Sequence, residues 1–529
     1  MRAILRAARA AASRVAAWGA LGGAGMALTS APTECKRAPE LPAPGSSVRH
    51  RIVVVGGGSA GVSVAAQLLR KMGREKADLA VIEPSDQHFY RPAWTLAGAG
   101  LVPLSRSRRA MSSVMPRGAR WIKAAVTRFE PDSNALVLDN GARVSYDYLI
   151  VATGMQIKLD LIPGLEEALE GDHNVSTIWD ARYVGKTWDG IRELGLREPE
   201  LKHGGVALFT QPRLGRGCGG AAQKICWLAE DWWRTKTMVR PNLTVEFVTG
   251  RPALFPVEKY ARALAEIGEE RGVHVTYTSE LVAVDGPNRT AVFESEDGAR
   301  FERRFDFLHV TPRMVAPPVV EASPLADKTG YVDVDKYTLQ HVRYPNVFAI
   351  GDSASVPTSR TIAAITAQAP VVVHNLIVTA GEQPGQLARY DGYSSSPILT
   401  RRGGLILAEF KYGEEPGAPP AVKETFPFFF DQGKEVSVLY ALTTGLFPWV
   451  RARARAAAAA AVASLSRVVP CRVPTADGAR RLRAPLRRRT SRGARVRQAY
   501  WNLMTTGRWY GPRGIFEPRM KFVDTWAMP

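Results

Sequence analysis

The run Gly56-Gly57-Gly58-Ser59-Ala60-Gly61 spaces its glycines as G-x-G-x-x-G, a pattern that can hold a pyrophosphate. The first glycine permits a tight turn, the second lets backbone approach the phosphates, and the third brings helix and strand together. The NH groups at the start of the helix that follows would face the anion. Glu83 comes 22 residues after Gly61, where a carboxylate can accept bonds from ribose hydroxyls. A second chemical candidate is Cys218, set among Gly217, Gly219 and Gly220 just before a helix expected from Ala221. A helix N-terminus favours a thiolate, and Lys224 adds positive charge nearby. The four cysteines (Cys35, Cys218, Cys226, Cys471) are too few and too scattered for a disulfide framework, and no C-x-x-C metal spacing occurs. Cys226 lies eight residues along the same helix from Cys218, roughly 12 Å at 1.5 Å per residue. A disulfide needs Cα atoms within about 7 Å, so Cys226 reads as a core residue.

These groups need elements to hold them. Arg51–Val55 is a β-branched run that enters the glycine motif directly, Gly61–Met72 is an apolar-periodic stretch, and Asp78–Glu83 is a second apolar run. Strand, tight turn, helix, strand is the βαβ order of a parallel nucleotide-binding sheet, with Glu83 at the end of its second strand. Further strands are expected at Ala135–Leu138, Tyr148–Ala152, Val206–Thr210, Leu243–Val248, Val273–Tyr277 and Val347–Ile350. Helices are expected at Ala221–Arg234 and Val257–Arg271. With 529 residues the chain exceeds what one core supports, so two α/β units and a tail are expected.

The formal net charge of +20 is localised: residues 1–51 carry +6 and residues 451–497 carry +13, leaving a nearly neutral body. The first segment, with Arg2, Arg6, Arg9 and Arg14 in Ala-rich sequence and no acid before Glu34, has the composition of a mitochondrial transit peptide. Its apolar stretch, Val15–Thr29, is shorter than the roughly 20 residues of a spanning helix, and no transmembrane span is expected elsewhere. Residues 38–47 read as a Pro/Gly/Ser linker. The second basic segment is an Arg/Ala-rich insert without apolar pattern, for which disorder is the expectation. It lacks aromatic interleaving for base stacking, so no nucleic-acid partner is expected.

Two further segments narrow the nucleotide to FAD. Leu149-Ile150-Val151-Ala152-Thr153-Gly154, a strand ending in A-T-G, resembles the second fingerprint of flavoprotein reductases. Tyr344-Pro345-Asn346-Val347-Phe348-Ala349-Ile350-Gly351-Asp352 resembles their third, in which the Asp holds the ribityl chain. Pro357-Thr358-Ser359-Arg360-Thr361 then leads into an apolar helix, Ile362–Ala369, whose N-terminus would stabilise the anion formed on flavin reduction.

More specific segments resemble eukaryotic sulfide:quinone oxidoreductases. They are His88-Phe89-Tyr90-Arg91-Pro92-Ala93-Trp94-Thr95-Leu96, Gly217-Cys218-Gly219-Gly220-Ala221-Ala222-Gln223-Lys224-Ile225, Leu308-His309-Val310-Thr311-Pro312, Tyr390-Asp391-Gly392-Tyr393 with Pro397, and Phe426-Pro427 with Asp431-Gln432 and Lys434-Glu435. The likeness covers roughly residues 50–450 and 498–520. It implies non-covalent FAD, sulfide as donor, ubiquinone as acceptor, a small sulfur acceptor, and peripheral association with the mitochondrial inner membrane. By the same matches Ser59, Ala60, Glu83, Arg91, Val126, Asp352, Arg360, Thr361 and Lys434 fall at cofactor-binding positions, beside the fingerprint residues Gly56, Gly58, Gly61, Thr153 and Gly154. The aromatic tail (Tyr440, Phe447, Trp449, Tyr500, Trp501, Trp509, Tyr510, Phe516) would supply a quinone and membrane region, or cap the C-terminal core.

In that family two cysteines beside the flavin open a disulfide to hydrosulfide, one keeps the sulfur as a persulfide, and the released thiolate passes electrons to the flavin. The resemblance places Cys218 as the sulfur carrier. Ser396 stands where the second cysteine is expected, before Pro397, and a hydroxyl cannot form the disulfide. Two other readings stay open: a member with impaired redox activity, and a type-II NADH:quinone reductase. For the second, Gly215-Arg216-Gly217-Cys218-Gly219-Gly220 also fits G-x-G-x-x-G, but Gln211 and Pro212 intervene after the strand, and the next strand ends Val248-Thr249-Gly250-Arg251 without an acid.

The resulting expectation is an α/β chain with two Rossmann-like domains of the FAD/NAD(P)-binding type and a C-terminal membrane-associating region. Its segments are 1–49 (targeting and linker), 50–165 and 326–385 (FAD domain in two parts), 166–325 (second Rossmann-like domain), and 386–529 (C-terminal region containing the 451–497 insert).

Overall fold

The computed structural model describes residues 39–197, 204–213, 220–414, 418–423 and 434–435. Cys218, the targeting segment, the 451–497 insert and the aromatic tail lie outside the described residues.

The first sheet is built on β1 (Ser47–Val55) and continues through α1 (Ser59–Met72) to β2 (Leu79–Ile82). Ile52 to Val54 are fully buried, as a strand covered by helices on both faces requires. α1 ends at Gly73, whose φ of 81° lets the chain turn out of the helix. After the short helix α2 (Pro92–Gly98), β3 (Arg120–Ile122) joins the far side of β2, and β6 (Arg143–Val151) joins the far side of β1, all in parallel. An antiparallel hairpin, β4 (Val126–Glu130) and β5 (Ala135–Leu138), precedes β6 and pairs with its N-terminal half. The first strand starts four residues earlier than the sequence indicates, and Glu40 bridges to Ile122. The expected linker therefore contributes to the sheet at both points.

The second sheet is wholly parallel. Its order is β7 (Val175–Ser176), β14 (Phe307–His309), β8 (Gly205–Gln211), β9 (Leu243–Thr249) and β10 (Val273–Thr276). Helices α3 (Val184–Arg197), α4 (Ala221–Thr235) and α5 (Glu258–Glu270) belong to this unit. A three-stranded antiparallel sheet, β11 (Ser279–Asp285), β12 (Thr290–Ser295) and β13 (Arg300–Arg304), is inserted before β14.

The chain then returns to the first sheet. β15 (Val347–Ala349) pairs in parallel with the C-terminal half of β6. α6 (Ile362–Thr379) follows and continues past the expected end at Ala369, through Pro370. It is long and apolar enough to cross a membrane, with a hydropathy of 1.6, but 61% of it is buried in the protein. Val371, Val372, Val373 and Leu376 are core residues, so this is a core helix. A last antiparallel sheet, β16 (Ser394–Arg401), β17 (Gly404–Lys411) and β18 (Ala421–Val422), packs β16 against α4 and α6.

Candidate active site

The carboxyl ends of β1, β2, β6 and β15 converge, which is where parallel α/β sheets bind ligands. Backbone bonds run across this rim from Gly56 N to Ile82 O (2.9 Å), Ala152 N to Val55 O (2.8 Å) and Ile350 N to Val151 O (3.1 Å). Gly56 has φ +109°, and a β-carbon there would lie 2.3 Å from the Ala152 carbonyl oxygen. One on Gly61 would lie 1.9 Å from Gly56 O, while one on Gly58 would meet nothing within 4 Å. The first and third glycines are thus required by the protein's own backbone, and the second faces open space. Ser59 and Ala60 open α1, and Ala60 packs on Gly351.

Glu83 follows β2 directly and accepts from Gly57 N (2.7 Å) and Ser85 N (2.8 Å). Burial pushes its carboxyl above the usual range, against those two bonds. The side chain is therefore already anchored to the glycine loop. Among the described residues, Thr153 Oγ1 is buried without a hydrogen-bond partner, and Gly154 beside it (φ +75°) has nothing within 4 Å of a β-carbon. An orphaned hydroxyl beside an open glycine loop fits a dinucleotide.

At the other end of the rim, burial raises the Asp352 carboxyl, while Arg360 and Arg91 oppose the shift. Arg360 is buried, donates to Ala354 O (3.1 Å) and stacks 3.8 Å over Tyr331. Arg91 is exposed and sits 5.6 Å over the Trp94 ring. Thr361 caps α6 by accepting from Ala364 N (3.1 Å). Val126 opens β4 half-buried against the core, and Lys434 is exposed. The structure brings the fingerprint residues and Glu83, Arg91, Asp352, Arg360 and Thr361 to one rim. Lys434 has no described contact that joins it to them.

The strand carrying Ser396 is aimed by the turn before it. Gly392 has φ +84°, where a side chain would strike Tyr412. The Tyr390 hydroxyl donates to Tyr393 O (2.7 Å), and Asp391 accepts from Tyr393 N (3.1 Å). Ser394 and Thr361 share a hydroxyl–hydroxyl bond of 2.9 Å. Because strand side chains alternate, Ser396 faces the same side as Ser394. It is buried, and a β-carbon on Gly220 would lie 2.6 Å from its Oγ. The position assigned to the second redox residue thus meets the start of α4, two residues beyond Cys218 in sequence. Cys226 is fully buried in the second core, and burial pushes its thiol well above the usual range, as expected for an inert residue.

Gln368 was not singled out by sequence reading. Its Oε1 accepts from Gly351 N (2.9 Å), which ties α6 to the third fingerprint. The available signal was an amide inside an otherwise apolar helix. In the second sheet, Gly250-Arg251 follows β9, and a β-carbon on Gly250 would lie 2.4 Å from Arg213 N.

Residues 50–190 match the family model described as pyridine nucleotide-disulphide oxidoreductase. The chain is 38% identical to a mitochondrial sulfide:quinone oxidoreductase of Dictyostelium discoideum, over 88% of both chains. It is 41% identical to the mitochondrial sulfide:quinone oxidoreductase of Mus musculus, over 76% of this chain and 85% of that one. The crystal structure of the sulfide:quinone oxidoreductase from Aquifex aeolicus superposes with a TM-score of 0.61, at 19% identity, over 75% of this chain and 89% of that one.

Proposed function

This chain belongs to the sulfide:quinone oxidoreductase family of FAD-dependent flavoproteins, and on that premise we propose how its residues divide the work of oxidising sulfide and reducing quinone. Gly56, Gly58 and Gly61, with the NH groups at Ser59 and Ala60, take the pyrophosphate of FAD. Glu83 takes a ribose, and Thr153 and Gly154 border the same cofactor. Asp352 holds the ribityl chain, and Arg91, Val126, Arg360, Thr361 and Lys434 complete the cofactor set. FAD supplies the two-electron relay between sulfide and quinone.

Cys218, as a thiolate favoured by its place just before α4, would take the sulfur of hydrosulfide as a persulfide, and the two electrons released as that S–S bond forms would go to bound FAD and from it to quinone. A small acceptor then removes it. Ser396 takes the place of the second thiol, so sulfur chemistry in this chain rests on Cys218. The approach of Ser396 to Gly220 supports this reading, because Gly220 follows Cys218 by two residues in the sequence. The mitochondrion is the compartment, in line with the relatives and the Arg-spaced N-terminus, and peripheral attachment to the inner membrane is supported by the aromatic tail.

The test is anaerobic addition of sulfide to the purified full chain while the flavin absorbance is followed, and then addition of a soluble quinone. Bleaching that quinone reverses and that Cys218→Ala abolishes is the expected result. Bleaching of undiminished rate in Cys218→Ala would overturn the assignment of the sulfur carrier.

A further inference from the structure

Three buried polar atoms lie on β7, β14 and α3, which pack on one another. His309 Nε2 accepts from Ile178 N (3.2 Å), so the ring proton resides on Nδ1. That Nδ1, Ser176 Oγ and Thr187 Oγ1 are all buried and have no hydrogen-bond partner among the described residues. Their residues are 0%, 1% and 0% exposed.

The fold places them together. Ser176 and His309 are register partners on adjacent parallel strands, so their side chains rise from one face, with backbones about 4.8 Å apart. Phe209, the partner of His309 on the other side, has its ring 6.0 Å from the imidazole on that same face. α3 covers the face: a β-carbon on Gly190 would lie 2.6 Å from the Phe307 ring. Thr187 lies about one helical turn before Gly190, and His309 lies two strand residues beyond Phe307 in the same direction, so Thr187 stands over His309. Thr187 also packs with Ile178 beneath Gly98 of α2, whose β-carbon would lie 2.7 Å from Ile178 Cγ2 and 3.4 Å from Thr187 Cβ.

We infer that His309, Ser176 and Thr187 together hold one buried water molecule, which ties β7, β14 and α3 beneath α2. The chemistry of the three atoms selects it. Nδ1–H can only donate, and each hydroxyl can donate or accept. The occupant must therefore accept from the imidazole and can exchange bonds with both hydroxyls. A metal cation is excluded by the facing N–H. An anion finds no positive charge, because burial holds the imidazole neutral, with its pKa lowered to about 3. Three bonds are typical for an internal water. The site does not depend on the reaction proposed above.

Stability of the FAD-loaded full chain tests this through the sign of the effect. Thr187→Val and Ser176→Ala each remove one hydroxyl with little change of shape. If a shared water is present, each single variant leaves it under-bonded and raises the urea unfolding constant roughly tenfold. The double variant then loses no more than the worse single one, because both act through the same molecule. If the hydroxyls are alone in the core, replacing them with methyl or hydrogen leaves stability unchanged or higher, and that result overturns the inference. Losses that add in full in the double variant overturn it too, since they would come from independent sites.

Discussion

Gly220 and Ser396 are in contact: a β-carbon on the glycine would reach within 2.6 Å of the serine Oγ and 3.2 Å of Ile398 Cγ1. The first residue before α4 and a buried strand residue more than 170 positions later therefore share one small space. Only a glycine leaves room for the strand at this distance, so the residue before α4 is tied to the course of β16. The contact also limits what position 396 can hold. Sulfur is larger than oxygen, and a thiol there would press on Gly220 unless it turned toward the loop before α4.

Ser396→Cys is expected to restore a second redox thiol. The variant should lose both free thiols of the pair when oxidised, read as two fewer thiols by titration under denaturing conditions. Its flavin should be reduced by sulfide at least about tenfold faster than in the natural chain, a barrier change of about 1.4 kcal/mol. Unchanged thiol count and unchanged rate would show that the two positions do not form a redox pair.

The three glycines of the first loop should separate stability from cofactor retention. Gly61→Ala puts a methyl group 1.9 Å from Gly56 O, and overpacking of this kind costs about 1–3 kcal/mol or more. It should lower the thermal midpoint even after FAD is removed. Gly58→Ala meets no atom of the described residues within 4 Å. It should fold normally and lose FAD on dilution, because the added methyl lies only in the path of the pyrophosphate. Equal midpoints for both apoproteins would contradict the packing argument.

Local sequence carried the first sheet well because its information is local. The β-branched run at Arg51–Val55, the glycines and the apolar period of Gly61–Met72 each act within a few residues, and β1, α1 and β2 lie where those signals point. Gln368 was missed because its partner, Gly351 N, is brought to it only by the return of the chain to the first sheet. The extension of α6 through Pro370 was missed because proline normally ends a helix, whereas here burial of Val371, Val372 and Leu376 holds it in place. The inserted β11–β13 sheet left only weak alternation, with Glu302, Arg303 and Arg304 exposed along β13. The approach of Ser396 to Gly220 has no local signal. It depends on α4 and β16, two elements from distant parts of the chain.

His309 should make the chain acid-sensitive above the carboxylate range. Its pKa is lowered from 6.5 to about 3 by burial, so the unfolded chain takes up a proton below about pH 6.5 that the folded chain refuses. Stability is therefore full above pH 6.5 and falls as the pH drops toward 3. From these two values the loss at pH 5 is about 2 kcal/mol. His88, also lowered by burial, acts in the same direction. His309→Phe should be less stable at pH 7, because Ile178 N loses its acceptor, but its unfolding midpoint should change less between pH 7 and pH 5. An identical slope in both proteins would show that His309 is not neutral and buried in solution.

Arg402 should fix the turn of the β16–β17 hairpin and, through it, the placement of Ser396. Its guanidinium lies 4.5 Å over Trp232 and 5.8 Å over Trp188, and Nη2 donates to Ala99 O (3.1 Å). Its backbone N donates to Asp231 Oδ2 (2.9 Å). One residue thus joins the hairpin to α4, α3 and the segment after α2. Arg402→Ala removes the stacking and the side-chain bond but keeps the backbone bond, and should cost about 1–2 kcal/mol. Arg402→Lys keeps the charge over the indole but loses the planar stacking, and should recover only part of it. If Arg402 positions β16, then Arg402→Ala combined with Ser396→Cys should form the new disulfide less completely than Ser396→Cys alone. Equal disulfide yield, with stability still reduced, would confine Arg402 to holding the fold.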